Sequence, residues 1–435
     1  MSADLVVGEG SPAAFLGESD LRRIVADGLS PLILAGRRVL VIIPDGTRTM
    51  PMPAIVDILE DLLGASVAAL DYLVALGTHQ PMTDEQLGRL VGRPVVNGRA
   101  GRSHVFNHRW DLPETFVTLG TIPAAEVGDI TGGLLAREVT VALNRLIYDY
   151  DQLLICGPVF PHEVVGFSGG NKYLFPGIAG GDIINFTHWL GALLSNFHVI
   201  GSGYTPVRAV IDRAAELVDR PVACLALVVT HGGTSGLFVG PPRAAWRAAA
   251  ALSSRVHILE VERPFARVLS VMPEMYVDLW TAAKGMYKLE PAVADGGEVV
   301  IYAPHITEVS YTHGPLIDEI GYHCRDYFTA QWERFRHYPG GVLAHSTHVK
   351  GLGQYDPLTG VESPRVRVTL ATGIPPARCR QINLEYLDPA SVRVAEWQGR
   401  EAEGILVVPR AGEMLYRLRS AECTMQNAEG KARIR

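Results

Sequence analysis

The sequence predicts an α/β protein made of two domains. Short runs of apolar, β-branched residues alternate with segments whose apolar residues recur every three or four positions, as in strands and helices. Continuous apolar strands that alternate with helices are typical of a parallel sheet covered on both faces. The chain has 435 residues, which fits two domains because a domain usually has about 100–200 residues.

Each predicted strand ends in a stretch rich in polar residues or glycine. These strands lie within residues 37–48, 70–79, 151–162, 224–233, 298–308 and 341–348. Helices are predicted between them, within residues 51–64, 83–92 and 241–254. Open α/β sheets bind ligands beyond the carboxyl ends of their strands, near a topological switch point, so we expect the functional residues there.

The segment "VERPFARVLSVMPEMY" (261–276) marks the predicted domain boundary. It contains two prolines and interrupts the alternation of strands and helices, which begins again after it. We therefore predict an N-terminal α/β domain over residues 1–264 and a C-terminal α/β domain over residues 265–435.

The composition excludes several classes of protein. The net charge is −7 and no basic block stands out, which argues against a nucleic-acid-binding protein. No run approaches the length of about 18 apolar residues that a membrane span needs, and the N-terminus lacks the pattern of a signal peptide. The cysteines are scattered without a C-x-x-C pair, as is typical of reduced thiols, and we predict a cytoplasmic protein. These cysteines are Cys156, Cys224, Cys324, Cys379 and Cys423.

The segment "HEVVGFSGGNKYLFPG" (162–177) contains the main candidate site. It is not a Walker A loop, because asparagine and tyrosine flank Lys172, and it is not a zinc-protease helix, because Gly166 stands where the second histidine is needed. Gly169 and Gly170 would let the backbone approach a ligand closely. Lys172 can act as a point charge, or as an amine nucleophile if burial lowers its pKa. On residue types alone, an exposed lysine in a glycine turn is an equally good interpretation.

Histidines and charged residues in three further segments are candidates. His188 lies in "GGDIINFTHWLGALL", a predicted helix with its cap near Asp182, where a neutral imidazole can bind a metal. Asp45 and Arg48 follow one strong strand in "PDGTRTMP", and His79 follows the next strand in "ALGTHQPMT". Arginine suits two-point binding of a carboxylate or phosphate. A single histidine is more often a structural residue than a ligand, but these loops follow successive strands.

Four segments together resemble the lactate racemase family, which depends on a nickel-pincer nucleotide, and its 2-hydroxy-acid racemase and epimerase relatives. The match extends over residues 40 to 350, and its strongest part is the spacing of His162, Lys172 and His188. The segments, in chain order, are "DGTR", "LGTHQPMT", "HEVVGFSGGNKYLFPGIAGGD" and "DLWTAAKG".

The resemblance implies two Rossmann-like α/β domains with the active site in the cleft between them. It implies a nickel-pincer nucleotide, a pyridinium-3,5-dithio-carboxylate-type mononucleotide that clamps nickel, and partners that synthesise this cofactor. Lys172 would hold the cofactor covalently, His188 would bind nickel, and His79 and His162 would be the catalytic acid/base pair. Further cofactor-binding residues would be Asp45, Arg48, Gly169, Gly170 and Gly177, and substrate-binding residues would be Arg48, Trp280, Thr281 and Lys284.

The implied reaction is racemisation or epimerisation of a small 2-hydroxy acid through a 2-keto acid, with hydride transfer from Cα to the cofactor. Trp280 and Thr281 stand where the family often has tyrosine and glutamine, and Asn171 replaces a small residue or proline, so the expected substrate is a lactate-like or larger 2-hydroxy acid rather than lactate in particular. Alternatives are a 2-hydroxy-acid dehydrogenase-type reaction on the same cofactor and a non-catalytic homologue that binds it. His108 has no assigned role, and His345 and His348 are expected in a loop that can line the cleft.

Overall fold

A computed structural model describes residues 5–419 of the chain. It is built around two sheets with helices on their faces, which confirms the predicted α/β class. None of the helices between residues 5 and 419 has the length and apolar character needed to cross a bilayer. The division at residue 265 stays a prediction, and Cys423 lies outside the described residues.

The first sheet is mostly parallel and comes from the N-terminal half. Its core strands are Arg38–Ile43, Ala69–Val74, Gln152–Pro158 and Val222–Thr230, which pair in parallel and are almost wholly buried, as expected for strands covered on both faces. In spatial order the sheet consists of Val7–Gly10, Gly233–Gly240, Val222–Thr230, Gln152–Pro158, Arg38–Ile43, Ala69–Val74, Ser103–Asn107 and Arg99–Ala100.

A topological switch point lies in the middle of this sheet. From Arg38–Ile43 the chain proceeds to one side through Ala69–Val74, and Gln152–Pro158 lies on the other side. The loops that follow these three strands carry Asp45, His79 and His162. Loops that leave a sheet on opposite sides of such a point leave a crevice between them.

The second sheet comes from the C-terminal half and is entirely parallel. Its strands in spatial order are Glu385–Tyr386, Arg367–Thr372, Val293–Ala303, Phe265–Val271 and Ile405–Val408. Smaller two-stranded sheets pair Phe116–Ile122 with Val139–Asn144, Pro161–His162 with Gly166–Phe167, Ile258–Val261 with Leu415–Leu418, and Gly353–Asp356 with Val361–Pro364.

The helices cover both sheets and supply residues to the space between the two halves. The α-helices are Glu18–Leu29, Met52–Leu63, Asp84–Val91, Ala124–Thr131, Gly181–Leu194, Asn196–Val199, Pro206–Ala215, Pro242–His257, Leu279–Ala282, Lys284–Tyr287, Gly314–Ile320, Arg325–Ala330, Trp332–Phe335, Gly340–Lys350, Pro376–Gln381 and Val394–Trp397. Short 3₁₀ helices are Pro113–Thr115, Arg145–Asp149, Gly170–Tyr173, Glu290–Ala292, Pro389–Ser391 and Glu401–Glu403.

Two helices from different halves pack directly on each other. Helix Gly340–Lys350 packs on helix Gly181–Leu194, and a Cβ added at Gly340 would lie 2.4 Å from the carbonyl oxygen of Asn185. The amide of Gly341 also donates a hydrogen bond to the Asn185 side chain at 3.0 Å. Glycine at position 340 therefore permits a close approach that any other side chain would obstruct.

The strand predicted within residues 341–348 is wrong, because "GVLAHSTH" lies in helix Gly340–Lys350. The segment is short, and a short segment cannot be assigned to strand or helix by periodicity alone. The His188 helix begins near Asp182, as predicted. Gly180 is the N-cap residue, while Asp182 lies in the first turn and accepts a hydrogen bond from the Thr140 amide at 2.7 Å.

Candidate active site

A cavity of about 140 Å³ lies between the two halves, and we call it the inner cavity. The strand-end loops of the first sheet form one side, and helices of the C-terminal half form the other. Most of the candidate residues from the sequence line it: Asp45, Arg48, His79, His162, Gly169, Lys172, Gly177, His188, Trp280 and Lys284.

His79 and Asp45 form a hydrogen-bonded pair at the inner cavity. His79 Nδ1 lies 2.5 Å from Asp45 Oδ2. Burial raises the pKa of Asp45, but His79 and Arg48 outweigh this effect and hold it well below its ordinary value. Because the ionised carboxylate can only accept, Nδ1 of His79 carries the proton and Nε2 of the neutral ring is left as a base.

The ring of His162 is fixed differently. Its Nδ1 accepts a hydrogen bond from the Val164 amide at 3.2 Å, so the neutral ring carries its proton on Nε2. Burial and then the nearby cations Lys172 and Arg48 lower its pKa well below the ordinary value. The carboxylate of Glu163 lies 3.3 Å from the same Nδ1 and can stabilise the ring when that nitrogen is protonated. The two candidate acid/base histidines therefore differ at Nδ1, which donates a hydrogen bond in His79 and accepts one in His162.

The glycine segment before Lys172 is held by residues far along the chain. Gly169 has a φ of +84°, which glycine adopts readily, and its carbonyl oxygen accepts a hydrogen bond from Arg208 at 3.0 Å. Trp246 Nε1 donates to the Ser168 carbonyl oxygen at 2.9 Å. Asn171, the departure from the family pattern, donates to Asp212 at 2.9 Å. These contacts give the loop a fixed shape without a ligand.

Lys172 has the properties of a nucleophile. Burial, and then the positive charge of Arg48, lowers the pKa of its amine to about 7. A substantial fraction of the amine is therefore neutral at physiological pH, and the neutral form is the nucleophile. The residues that lower this pKa, such as Arg48, lie far from Lys172 in the sequence, so the local sequence alone could not show that the lysine is activated.

His188 presents one ring nitrogen for a ligand. Its Nδ1 donates to the Ile184 carbonyl oxygen at 2.7 Å, one turn earlier in the same helix. This bond fixes the tautomer and leaves the Nε2 lone pair available, an arrangement common for metal-binding histidines. No group of three or more His, Cys, Asp or Glu side chains between residues 5 and 419 is arranged to hold a metal. His188 would therefore contribute a single protein ligand.

The C-terminal half contributes Lys284 and Trp280 to the inner cavity. Burial and then Arg48 lower the pKa of Lys284 to about 7, and its amine donates to the Thr281 carbonyl oxygen at 3.0 Å. Thr281 itself lies outside the inner cavity, and its hydroxyl donates to Asp278 at 2.7 Å at the start of helix Leu279–Ala282. Gly170 also lies outside, where an added Cβ would meet Trp246 at 2.9 Å.

A second, larger cavity adjoins the inner one, and we call it the outer chamber. It has a volume of about 520 Å³ and shares Asp45, Arg48, His79 and Trp280 with the inner cavity. Thr281 lines it together with apolar side chains. These are Met50, Met52, Pro53, Met82, Leu90, Met275 and Val277.

Three further histidines have distinct places. His345 and His348 line the inner cavity from helix Gly340–Lys350, so the loop expected for them is wrong. His108 is fully buried elsewhere, where its Nδ1 accepts from Asn144 at 3.1 Å and its Nε2 lies 3.4 Å from the Ala179 carbonyl oxygen. His108 therefore contacts the backbone at Ala179, two residues after Gly177, and does not line the inner cavity.

Sequence reasoning missed Glu163, Tyr173 and Tyr287, which also line the inner cavity. Burial raises the pKa of Glu163, but His348 and Lys284 outweigh it and keep the group ionised. Glu163 directly follows His162, so its position beside a candidate histidine was the available signal. Tyr287 could be found only from the fold, because it follows Lys284 by less than one helical turn on a helix that the sequence did not predict.

The buried lysines predict how stability depends on pH. Burial is the main cause that lowers the pKa values of Lys172, Lys284 and Lys288 to about 7, against roughly 10.4 in an unfolded chain. Between these values the unfolded chain binds more protons, so the free energy of unfolding should rise with pH from 7 to 9. Denaturant unfolding of the cofactor-free protein at pH 7, 8 and 9 measures this slope. Lys288→Met should make this rise with pH shallower. A free energy of unfolding that falls or does not change between pH 7 and 9 in the wild type would contradict the prediction.

Comparison with known proteins relates the chain to lactate racemases. Residues 18–199 match the family model of the lactate racemase N-terminal domain. A lactate racemase of Lactiplantibacillus plantarum is 30% identical over 167 residues, which cover 38% of this chain and 35% of that protein. A lactate racemase of Thermoanaerobacterium thermosaccharolyticum is 23% identical over 280 residues, which cover 63% and 62% of the two chains.

Solved structures extend the similarity over nearly the whole fold. A Thermotoga maritima protein is 32% identical with a TM-score of 0.87, and the match covers 94% of this chain and all of that one. The lactate racemase apoprotein of T. thermosaccharolyticum is 18% identical with a TM-score of 0.67, covering 93% and 94% of the two chains. Residues 18–199 therefore match the lactate racemase family, and the rest of the chain shares the fold of these solved structures.

Proposed function

We propose that this protein racemises or epimerises a small 2-hydroxy acid at Cα. The observation that carries the proposal is the placement of His79 and His162 at one cavity with their ring protons set by different partners. A reaction that forms and reverses a planar keto acid needs a proton acceptor on one side and a proton donor on the other. The racemase relatives named above support the same class of reaction.

The residues present fit the nickel-pincer nucleotide that the family resemblance implies. Lys172 has a buried amine with a pKa of about 7 that can form a covalent bond, and His188 has a free Nε2 for nickel. An added Cβ at Gly177 would lie 2.3 Å from the Tyr173 carbonyl oxygen, so this wall of the cavity requires glycine. The cofactor, when bound, would supply an acceptor for the Cα hydrogen as hydride.

The α-hydrogen of a 2-hydroxy acid is hard to remove as a proton because the adjacent carboxylate is already negative. Loss of hydride avoids a dianion, provided that a base takes the hydroxyl proton. His79, with Nδ1 held by Asp45, can accept that proton at Nε2. His162 would return one to the opposite side of the keto acid after taking up a proton, a form that the Glu163 carboxylate 3.3 Å from Nδ1 would stabilise. Arg48 and Lys284, both at the cavity, would hold the substrate carboxylate throughout.

The test is stereochemical. The protein is co-expressed with cofactor-synthesis proteins, and a panel of single-enantiomer 2-hydroxy acids is followed by chiral chromatography. We expect at least one acid with a single stereocentre to reach equal amounts of both enantiomers. If no stereocentre changes in any acid of the panel, the proposed function is wrong.

The different hydrogen-bond partners of His79 and His162 also favour a second candidate function. An enzyme with one productive face would transfer hydride in one direction, as in a 2-hydroxy-acid dehydrogenase-type reaction on the same cofactor. Reduction of a keto acid to one enantiomer, without racemisation, would identify this reaction. A loaded protein that performs neither reaction would be a non-catalytic homologue.

A further inference from the structure

His345 has a hydrogen-bond acceptor that no residue of the described chain satisfies. The side chain is buried, with 8% of the residue exposed, and it lines the inner cavity. Its Nε2 donates to the Trp280 carbonyl oxygen at 3.1 Å, so Nδ1 of the neutral ring is an acceptor. Nδ1 is buried and has no partner between residues 5 and 419.

The position of the ring limits what can reach this nitrogen. One face of the His345 ring stacks on Trp280, with ring centroids 3.9 Å apart and planes inclined by 7°. Tyr322 lies at an angle to the ring with a centroid distance of 5.7 Å. Burial, the largest cause, lowers the pKa of His345 well below the ordinary value, so the ring stays neutral and keeps its acceptor.

A buried polar atom without a partner is costly, so such an atom at a binding cavity indicates a missing ligand group. The missing group must be a donor. A carboxylate and a keto oxygen only accept hydrogen bonds, whereas a hydroxyl donates. In the proposed reaction the hydroxyl on Cα is already used by His79 and His162, so a further hydroxyl of the substrate is the group that fits this acceptor.

We propose that His345 selects 2-hydroxy acids that carry a further hydroxyl group, by accepting a hydrogen bond from that hydroxyl at Nδ1. This inference rests on the proposed function and names its substrate class as polyhydroxy acids. Lys284, four residues after Trp280 and at the same cavity, would hold the carboxylate close to this ring. His348 Nε2, one helical turn further on, is a second buried nitrogen without a described partner, which makes this wall polar.

The test compares two acids that differ by a single hydroxyl group. Glycerate and lactate are assayed with the cofactor-loaded wild type and with His345→Phe, which keeps a ring beside Trp280 and removes both nitrogens. Sites built to bind a hydroxyl discriminate strongly against analogues that lack it. We expect the wild type to prefer glycerate at least about 10-fold in kcat/KM. The substitution should lower the ratio of kcat/KM for glycerate to kcat/KM for lactate by about 10–100-fold.

Two variants separate hydrogen bonding from packing. His345→Gln retains a donor and an acceptor and should restore part of the preference for glycerate. His231→Phe makes the same change at an exposed turn and should leave the preference intact. An equal loss for both acids in His345→Phe, or no preference in the wild type, would overturn the inference.

The proposed function can fail separately. If the loaded wild type racemises neither acid nor any other acid of the panel, the proposed function is wrong, and calorimetric binding of glycerate and lactate then decides the role of His345. Tighter binding of glycerate that is lost in His345→Phe would support the inference. Equal affinities of the two acids would overturn it.

Discussion

Lys172→Ala should remove both the covalent cofactor and the activity. In protein co-expressed with the cofactor-synthesis proteins, the intact mass of the wild type should include an adduct and that of the variant should not. Turnover should fall by at least about 10³-fold, because the variant would lose the proposed covalent tether to the cofactor. The physical basis is the pKa of about 7, which leaves much of the buried amine neutral and nucleophilic.

Lys288→Met is the matched control for this experiment. The pKa of Lys288 is also lowered to about 7, mainly by burial, but its amine is engaged with the Glu413 carbonyl oxygen at 2.7 Å. This variant should still carry the adduct. An adduct that persists in Lys172→Ala and disappears in Lys288→Met would show that the cofactor is not attached to Lys172.

Replacing His79 by Gln should reduce racemisation by about 10²–10⁴-fold, the usual contribution of general acid–base catalysis. Asp45→Asn should also reduce it strongly, because an amide can donate to Nδ1 and thereby leave Nε2 protonated and unable to act as a base. Both effects are measured as initial rates of appearance of the opposite enantiomer over a range of pH. The Asn variant should change the pH profile as well as the rate.

The chain contains a similar histidine–aspartate pair away from the cavity. His104 Nδ1 lies 3.3 Å from Asp71 Oδ1 on neighbouring strands of the first sheet. His104→Gln should leave racemisation within about threefold of the wild type. If His79→Gln is no more harmful than His104→Gln, His79 is not an acid/base residue.

The sequence was informative about the first sheet and the loops that follow its strands. Uninterrupted apolar runs predicted the strands that contain Val41 and Ile155, and both are fully buried in a parallel arrangement. Candidate residues in those loops meet at one cavity because parallel strands bring their carboxyl ends to one edge of the sheet. The spacing of the motif indicated Lys172 and His188 as site residues, and both line the inner cavity. Residue type alone could not distinguish them from ordinary structural residues.

The rest required tertiary contacts. The partners that hold the glycine segment, Arg208 and Trp246, lie some 40 and 75 residues beyond it and belong to no motif. His345 and His348 lie on a helix whose continuous burial gave no helical period. Thr281, predicted at the substrate by its position in the motif, lines the outer chamber, and its hydroxyl donates to Asp278, the N-cap residue of helix Leu279–Ala282.

The contact between Gly340 and Asn185 also fixes one wall of the site, because backbone lies against backbone where the two helices meet. Both helices line the inner cavity, one through His188 and the other through His345 and His348. The outer chamber shares Arg48 and Trp280 with this cavity and is lined in part by methionines. A substrate held by Arg48 would therefore have room for a longer tail in the outer chamber, on a side that the helix contact does not define.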